Sequence, residues 1–156
     1  MTQIELARDG VVSEVMKKVA EKEKLDPKTV QHHVAEGTLV IPANIHHGHL
    51  DPVGIGKSLT IKVNANIGTS RDHVDLDDEL KKLHSAVSAG ADAVMDLSTG
   101  GNVAHIRKVL LEASTLPFGT VPIYQAAIET AEKSGGIIHI TPDILFDVIE
   151  EQARDG

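Results

Sequence analysis

The sequence predicts an α/β fold in which consecutive strand–helix units build a parallel sheet, preceded by a more helical lead-in. From about residue 60 onward, short β-branched or apolar runs alternate with stretches of helical character. Asn66, Met95 and Tyr124 each close one such run, and they follow one another at intervals of 29 residues, about the length of one strand–helix unit. One Tyr, two Phe and no Trp leave the core to aliphatic side chains, as buried parallel strands prefer.

Residues 1–58 are predicted to form the helical lead-in. Apolar residues at helical spacing predict a first helix over about residues 11–24. A second helix should begin at Asp26, a good N-cap followed by Pro27, and should end at Gly37. A short strand is expected over 38–41, and the stretch 42–58, with two prolines and three glycines, is predicted to be irregular.

Residues 59–156 are predicted to contain three strand–helix units and a final helix. The expected strands are 60–65, 93–97 and 120–123, and the expected helices are 76–88, 102–113 and 124–133. A short extended run over 137–140 and a helix capped by Thr141 and reaching about residue 154 should follow. Because the carboxyl ends of parallel strands meet at one edge of a sheet, polar residues there predict a small-molecule site.

Composition excludes several classes of function. A net charge of −8 with scattered Lys and Arg argues against a nucleic-acid partner. No apolar run approaches the roughly 20 residues that span a membrane, and no secretory signal is visible at the N-terminus, so a cytoplasmic location is predicted. The absence of cysteine excludes disulfides, thiol catalysis and iron–sulfur ligation by any Cys of these 156 residues.

Each of the three regularly spaced residues has a structural alternative. Asn66, one residue past its predicted strand, could donate to and accept from a ligand, or could simply form a turn. Met95 could contact a ligand, but Met in an apolar run more often packs in a core. Tyr124, at a predicted strand end, could bind a ligand through its hydroxyl or be a buried structural residue.

Other polar clusters have weaker claims to function. The loop 96–101 could present hydroxyl and N–H groups to a phosphate, or could serve only as loop and helix cap. The histidine cluster 46–49 lies in an irregular stretch without ligands at metal-site spacing, and we favour a solvated or structural loop. The acidic run 75–79 suits a solvated helix start. The glycines of 54–58 lack the first glycine of a phosphate-binding loop, so that reading is rejected.

Four motifs resemble the phosphomethylpyrimidine synthase family of thiamine biosynthesis. They are VIPANI (40–45), VNANIG (63–68), VMDLSTGG (94–101) and GTVPIYQ (119–125), in that order, and the resemblance covers essentially the whole chain. It implies a TIM (β/α)8 barrel, of which this chain would supply about three-eighths. It implies a radical S-adenosylmethionine (SAM) lyase that converts 5-aminoimidazole ribonucleotide into a hydroxymethylpyrimidine phosphate. By the same resemblance, Asn66, Met95 and Tyr124 are substrate-binding residues.

The chain also departs from that family pattern. The family implies S-adenosylmethionine, a [4Fe-4S] cluster and zinc, but its cluster cysteines and metal-binding histidines are not among these residues. We therefore expect the front, substrate-side portion of the enzyme, inactive by itself, with no catalytic residue assigned and a homodimer implied for the full-length family. A second hypothesis is a non-catalytic binding or assembly module that needs a partner chain to complete the sheet.

Overall fold

A computed structural model describes all 156 residues, which form two compact units. The first unit contains Met1–Ala43 and Asp51–Lys62, and the second contains Asn44–Leu50 and Val63–Gly156. No helix in either unit has the length and apolar character that crossing a bilayer requires. The second unit carries the predicted sheet and all three regularly spaced residues, so it receives most of the description below.

The first unit is a small helical cluster with one short antiparallel strand pair. Its helices are α1 (Gln3–Arg8), α2 (Glu14–Glu23) and α3 (Pro27–Ala35), and β1 (Leu39–Val40) pairs with β2 (Ile55–Gly56). Met16, Val19 and Val30 are fully buried in its core. Asp26 caps α3 through the Lys28 N–H, as predicted. Helix α1 was not predicted, and β2 lies in the stretch 42–58, which was predicted to be irregular.

The second unit contains a three-stranded parallel sheet and four helices. The strands are β3 (Asn64–Ile67), β4 (Ala93–Asp96) and β5 (Phe118–Thr120), in that spatial order. The helices are α4 (Leu76–Ser88), α5 (Val103–Ala113), α6 (Pro122–Ser134) and α7 (Pro142–Asp155). Both strand pairs are parallel, which confirms the predicted parallel sheet of consecutive strand–helix units.

Strand β3 begins four residues later than predicted and includes Asn66. Its start follows from its partner, because the ladder pairs Asn64 with Ala93, the first residue of β4. Just before it, the Val63 N–H donates to the Asp92 carboxylate (2.7 Å), and the Val63 carbonyl accepts from the Asp92 N–H (2.8 Å). The β-branched residues before Asn64 therefore lie outside the ladder, and the prediction that Asn66 follows the strand is wrong.

Strand β5 and helix α6 are also shifted from their predicted bounds. The strand covers 118–120 rather than 120–123, and Pro122 opens the helix. Pro suits a first helical turn because it lacks an N–H and has a fixed φ. The predicted extended run 137–140 is instead a 3-10 turn, Ile137–His139, because no strand pairs with it. Gly135 ends α6 in a left-handed conformation, and Thr141 caps α7, both as predicted.

One face of the sheet is covered by α4 and α5. Ile67 and Val94 project from this face and pack with Leu83 of α4 and with Ile106 and Leu110 of α5. Side chains alternate between the two faces of a strand, so Asn66 and Met95 project from the opposite face. That second face carries no residue of this core cluster, and we call it the open face.

A buried arginine attaches α7 to the rest of the second unit. Arg107 on α5 donates to Asp155 (3.0 Å, from Nε) and to Glu151 (2.9 Å, from Nη2), both on α7. Its Nη1 donates to Gln125 on α6 (2.5 Å). The Arg107 side chain is only 3% exposed, and a buried charge needs such partners to avoid a large desolvation cost. Arg107 therefore links three helices at one place.

Candidate functional site

The ladder places two of the three predicted site residues side by side. Asn66 pairs in register with Met95, and Met95 pairs with Gly119 on the third strand. Neighbouring strands lie about 4.8 Å apart, so the three residues form one row across the open face. Asn66 is exposed and Met95 is half-buried. The alternative that Met95 is an ordinary core residue is not what the structure shows, because the core lies on the other face.

A neighbouring amide occupies the side-chain oxygen of Asn66. Asn64 lies two residues earlier on the same face, and its Nδ2 donates to Asn66 Oδ1 (2.8 Å). The two N–H donors of Asn66 have no partner within the protein. The pair therefore offers hydrogen-bond donors on the open face, which suits an acceptor atom such as a ring nitrogen or a phosphate oxygen.

The thioether of Met95 lies across the glycine of β5. A Cβ built on Gly119 would be 3.3 Å from Met95 Cε and 3.9 Å from its Cγ. Gly119 begins the motif GTVPIYQ, but no individual role was predicted for it from the sequence. A glycine within a strand, away from any turn, is the signal that could have identified it, because such a glycine often marks a close approach.

Tyr124 lies in the first turn of α6, not at a strand end. Its N–H donates to the Val121 carbonyl (3.0 Å), and the residue is 41% exposed. The buried-tyrosine alternative is thus wrong. The next residue, Gln125, is buried and fully hydrogen-bonded, accepting from Arg107 and Gln152. Its Nε2 donates to Glu129 (2.8 Å) and Glu151 (3.2 Å), which fixes the first turn that presents Tyr124.

The loops that follow β3 and β4 hold each other through polar contacts. Ser98 Oγ donates to Asp96 (2.5 Å) and accepts from the Thr69 N–H (3.0 Å). Thr69 Oγ1 in turn donates to the Gly100 carbonyl (2.6 Å). These hydroxyls are buried and already engaged, and Asn102 caps the helix that follows. The structure therefore favours loop and cap chemistry over a phosphate cradle for residues 96–101.

Two carboxylates lie buried beneath these loops. Glu79 of α4 accepts from the Gly68 N–H (2.9 Å) and from Lys82 Nζ (2.6 Å), and it is completely buried. Burial raises the pKa of Asp96, although two hydrogen bonds from Ser98 oppose the rise and nearby Glu79 reinforces it. Glu79 was missed by the sequence analysis, which assigned the acidic run 75–79 to a solvated helix start. Glu79 is the one residue of that run that is buried, and the assignment is wrong for it.

The histidine loop has a structural attachment and borders a cleft. His47 Nε2 lies 2.8 Å from the Ser114 carbonyl, and Asn44 Nδ2 donates to the Ala153 carbonyl (2.8 Å). A cleft of about 410 Å³ lies beside it, lined by His46, His49, Lys108, Glu112 and Arg154 among others. No group of three or more His, Cys, Asp or Glu in the chain is arranged to hold a metal ion.

The cofactors implied by the resemblance can be compared with these residues. An iron–sulfur cluster is held by cysteine thiolates, and the chain has no cysteine. The histidines and carboxylates do not converge on a common point where zinc could bind. The residues present therefore fit neither metal group, and no chemical step through them is assigned to this chain.

Comparison with known proteins places the chain in a family. A family model described as "Radical SAM ThiC family" matches residues 2–156. Phosphomethylpyrimidine synthase of Carboxydothermus hydrogenoformans is 52% identical over 156 residues, covering all of this chain and 36% of the relative. The same-named protein of Desulforamulus reducens is 54% identical with the same coverage. That of Halobacterium salinarum is 52% identical, covering 99% of this chain and 32% of the relative.

The chain thus spans about a third of the length of these curated relatives. The match extends over nearly every residue, including all four motifs that carried the resemblance. On this evidence, the chain belongs to the radical SAM ThiC family.

Proposed function

We propose that this chain is the substrate-side portion of a phosphomethylpyrimidine synthase of thiamine biosynthesis. The whole enzyme would convert 5-aminoimidazole ribonucleotide into 4-amino-5-hydroxymethyl-2-methylpyrimidine phosphate. The observation that carries the proposal is that Asn66 and Met95 lie side by side on the open face. The chain that presents them is 52% identical to such a synthase over its whole length. In this proposal Asn66, Met95 and Tyr124 contact the ribonucleotide.

The share of this chain would be binding and orientation. Asn66 would donate to an acceptor atom of the nucleotide, since its own oxygen is occupied by Asn64. Met95 would pack its thioether against the heterocycle, a contact that sulfur and aromatic rings favour. Tyr124 would add an amphipathic ring and a hydroxyl from the start of α6. S-adenosylmethionine, the [4Fe-4S] cluster and zinc would be held by residues outside these 156.

We propose further that the three strands are about three-eighths of a TIM (β/α)8 barrel. Strand order follows chain order, and the helices α4 and α5 cover one face only. In such a barrel the helices form the outer ring and the other face of the sheet lines the interior. The open face, with Asn66 and Met95, would then face inward. The full-length protein is proposed to act in the cytoplasm as a homodimer.

The chain contains its own probe for a binding test. Tyr124 is the only Tyr and there is no Trp, so tyrosine fluorescence reports on this one residue. We expect 5-aminoimidazole ribonucleotide to change it at lower concentration than inorganic phosphate does. Asn66→Ala should weaken the binding free energy obtained from that titration by about 1–3 kcal/mol, because a polar group of the ligand loses its donor. An unchanged affinity in Asn66→Ala would remove that residue from the site.

A turnover assay tests the expected division of labour. With S-adenosylmethionine and a reductant, the 156-residue chain should form no pyrimidine phosphate, since it has no cysteine to hold the cluster. Turnover by the isolated chain would contradict this proposal.

A second candidate function is a non-catalytic assembly module. It is favoured by the open face and by the two unpaired edges of the three-stranded sheet, at β3 and β5. A partner chain could complete the sheet by pairing with either edge. Sedimentation of the purified chain separates the two: a stable folded monomer that binds the ribonucleotide would contradict the assembly role.

A further inference from the structure

We infer that Gly119 is a positioning residue for Met95, and that the two together form a flat platform for the heterocyclic ring of the ligand. The inference rests on the proposed function for the identity of that ligand. Its structural part, the packing of the Met95 thioether over a bare strand, concerns this chain alone.

Space, not backbone conformation, accounts for glycine at this position. Gly119 does not have the positive φ found at Gly68 or Gly101. A Cβ on Gly119 would instead approach Met95 Cε to 3.3 Å, closer than most real contacts of this kind. An added Cβ would require the Met95 methyl group to move by a few tenths of an ångström, so glycine is what allows Met95 to lie in this position.

The resulting surface has a size and chemistry that suit a planar ring. Across the open face, the row runs from the Asn66 amide, over the Met95 thioether, to the bare backbone of Gly119. Three strands at about 4.8 Å spacing make this row about 10 Å wide. A polarizable sulfur beside a strand without a side chain permits close face-on approach. The Asn66 donors at one end can fix the ring's orientation.

Gly119 can be substituted at a lower cost to stability than two glycines in the loops after β3 and β4. A Cβ on Gly68 would lie 2.6 Å from the Ser98 nitrogen, and one on Gly100 would lie 2.2 Å from the Ser70 carbonyl oxygen. Those neighbours are backbone and cannot move aside. At Gly119 the nearest atom is the end of a flexible side chain, so Gly119→Ala should fold with Met95 displaced.

The first experiment uses methionine methyl groups as probes. The chain has three methionines: Met1 is exposed, Met16 is buried in the first unit, and Met95 is in the site. With methyl-labelled methionine, Gly119→Ala should shift the Met95 signal and leave Met16 unchanged. Gly48→Ala is the matched control, because its Cβ would meet nothing within 4 Å. A Met95 signal unmoved by Gly119→Ala, or moved equally by Gly48→Ala, overturns the positioning role.

The second experiment tests the platform with ligands. We expect 5-aminoimidazole ribonucleotide to shift the Met95 signal and ribose 5-phosphate, which lacks the ring, to leave it in place. In Gly119→Ala the nucleotide concentration that gives half of the shift should rise at least about tenfold. That is the effect expected of one misplaced methyl-sized group in a fitted site. An equal response to both ligands, or an unchanged affinity in Gly119→Ala, overturns the platform.

The tyrosine signal separates this inference from the function on which it rests. If the nucleotide changes Tyr124 fluorescence but not the Met95 methyl signal, the platform and the proposed Met95 contact are both wrong, while binding of the ribonucleotide by this chain stands. If it changes neither, the proposed function fails and the platform with it. In both cases the methyl comparison between Gly119→Ala and Gly48→Ala still decides whether Gly119 positions Met95.

Discussion

The two faces of the parallel sheet differ in burial and in the polarity of their side chains, although the same strands supply both. The covered face presents Ile67 and Val94 to Leu83 and Leu110, all buried, and forms the core of the second unit. The open face presents Asn66, half-buried Met95 and a bare glycine, and no helix of that core covers it. Alternation along each strand therefore separates the residues that form the core from those proposed to contact the ligand.

The comparison predicts that only the covered face contributes strongly to stability. Leu110→Ala should lower the free energy of unfolding by about 2–5 kcal/mol, because it leaves a cavity in a closely packed core. Asn66→Ala, on the exposed face, should change it by less than about 0.5 kcal/mol. Urea unfolding followed by Tyr124 fluorescence reports on the second unit alone. Equal losses in the two variants would contradict the assignment of the faces.

Stability should be nearly as sensitive to a substitution in the loops at the carboxyl end of the sheet. Gly68 has φ +143°, and a Cβ there would strike the backbone after β4. Gly68→Ala should therefore cost about 1–3 kcal/mol of stability through backbone strain. Gly48→Ala, with open space and no positive φ, is the control and should cost little. Similar unfolding midpoints for the two variants would show that the loops do not need this close crossing.

A smaller effect is expected from the neighbour that orients Asn66. Asn64→Ala removes one neutral hydrogen bond and frees the Asn66 amide to rotate, so ribonucleotide affinity should fall by about 0.5–1.5 kcal/mol. Stability should stay almost unchanged, since both residues are exposed. Tyr124 fluorescence titration measures the affinity. A loss as large as that of Asn66→Ala would mean that Asn64 itself contacts the ligand.

The smallest effect concerns the buried carboxylate on the covered side. Burial raises the pKa of Asp96 in the folded state, so its contribution to stability is greatest when it is protonated. That contribution should be lost as the pH rises from about 4, the unfolded pKa, through the raised folded pKa. Asp96→Asn keeps an oxygen to accept from Ser98 but cannot ionise.

The measurement is the difference in unfolding free energy between the wild type and Asp96→Asn from pH 4 to pH 8. It should move in favour of the variant as the pH rises and then become constant. A difference that is flat across this range, or that moves towards the wild type, would contradict a raised pKa. Taking the difference removes the contributions of carboxylates that do not interact with Asp96, such as Glu23, whose pKa is raised by burial but lowered overall by hydrogen bonds from Lys62 and Thr60.

Local signals were sufficient to predict the helices of the second unit. Helix 76–88 matches its predicted bounds, and α5, α6 and α7 differ by one or two residues at their ends. Side-chain caps, Pro in the first turn and Gly after the last turn are local chemistry. The parallel sheet followed from three consecutive strand–helix units.

Strand ends and side-chain networks could not be predicted in the same way. The ladder begins at Asn64 because its partner begins at Ala93, a fact of pairing and not of β-propensity. Gly119 becomes informative only when Met95 is seen across it. From the sequence, Arg107 is an ordinary charged residue of a helix, and its hydrogen-bond acceptors on α6 and α7 are seen only in the structure. The roles of Asn66, Met95 and Tyr124 came from the resemblance and stay predictions.

A chimera would test the central claim that the open face holds the ribonucleotide. This chain would replace the matching first third of the Carboxydothermus hydrogenoformans synthase, and KM for 5-aminoimidazole ribonucleotide would be measured with S-adenosylmethionine and reductant. Asn66→Ala should raise KM about 5- to 150-fold, the equivalent of 1–3 kcal/mol. Leu110→Val, on the covered face, should lower stability and leave KM unchanged. A functional chimera in which Asn66→Ala leaves KM unchanged, or in which both variants raise it equally, would contradict the account.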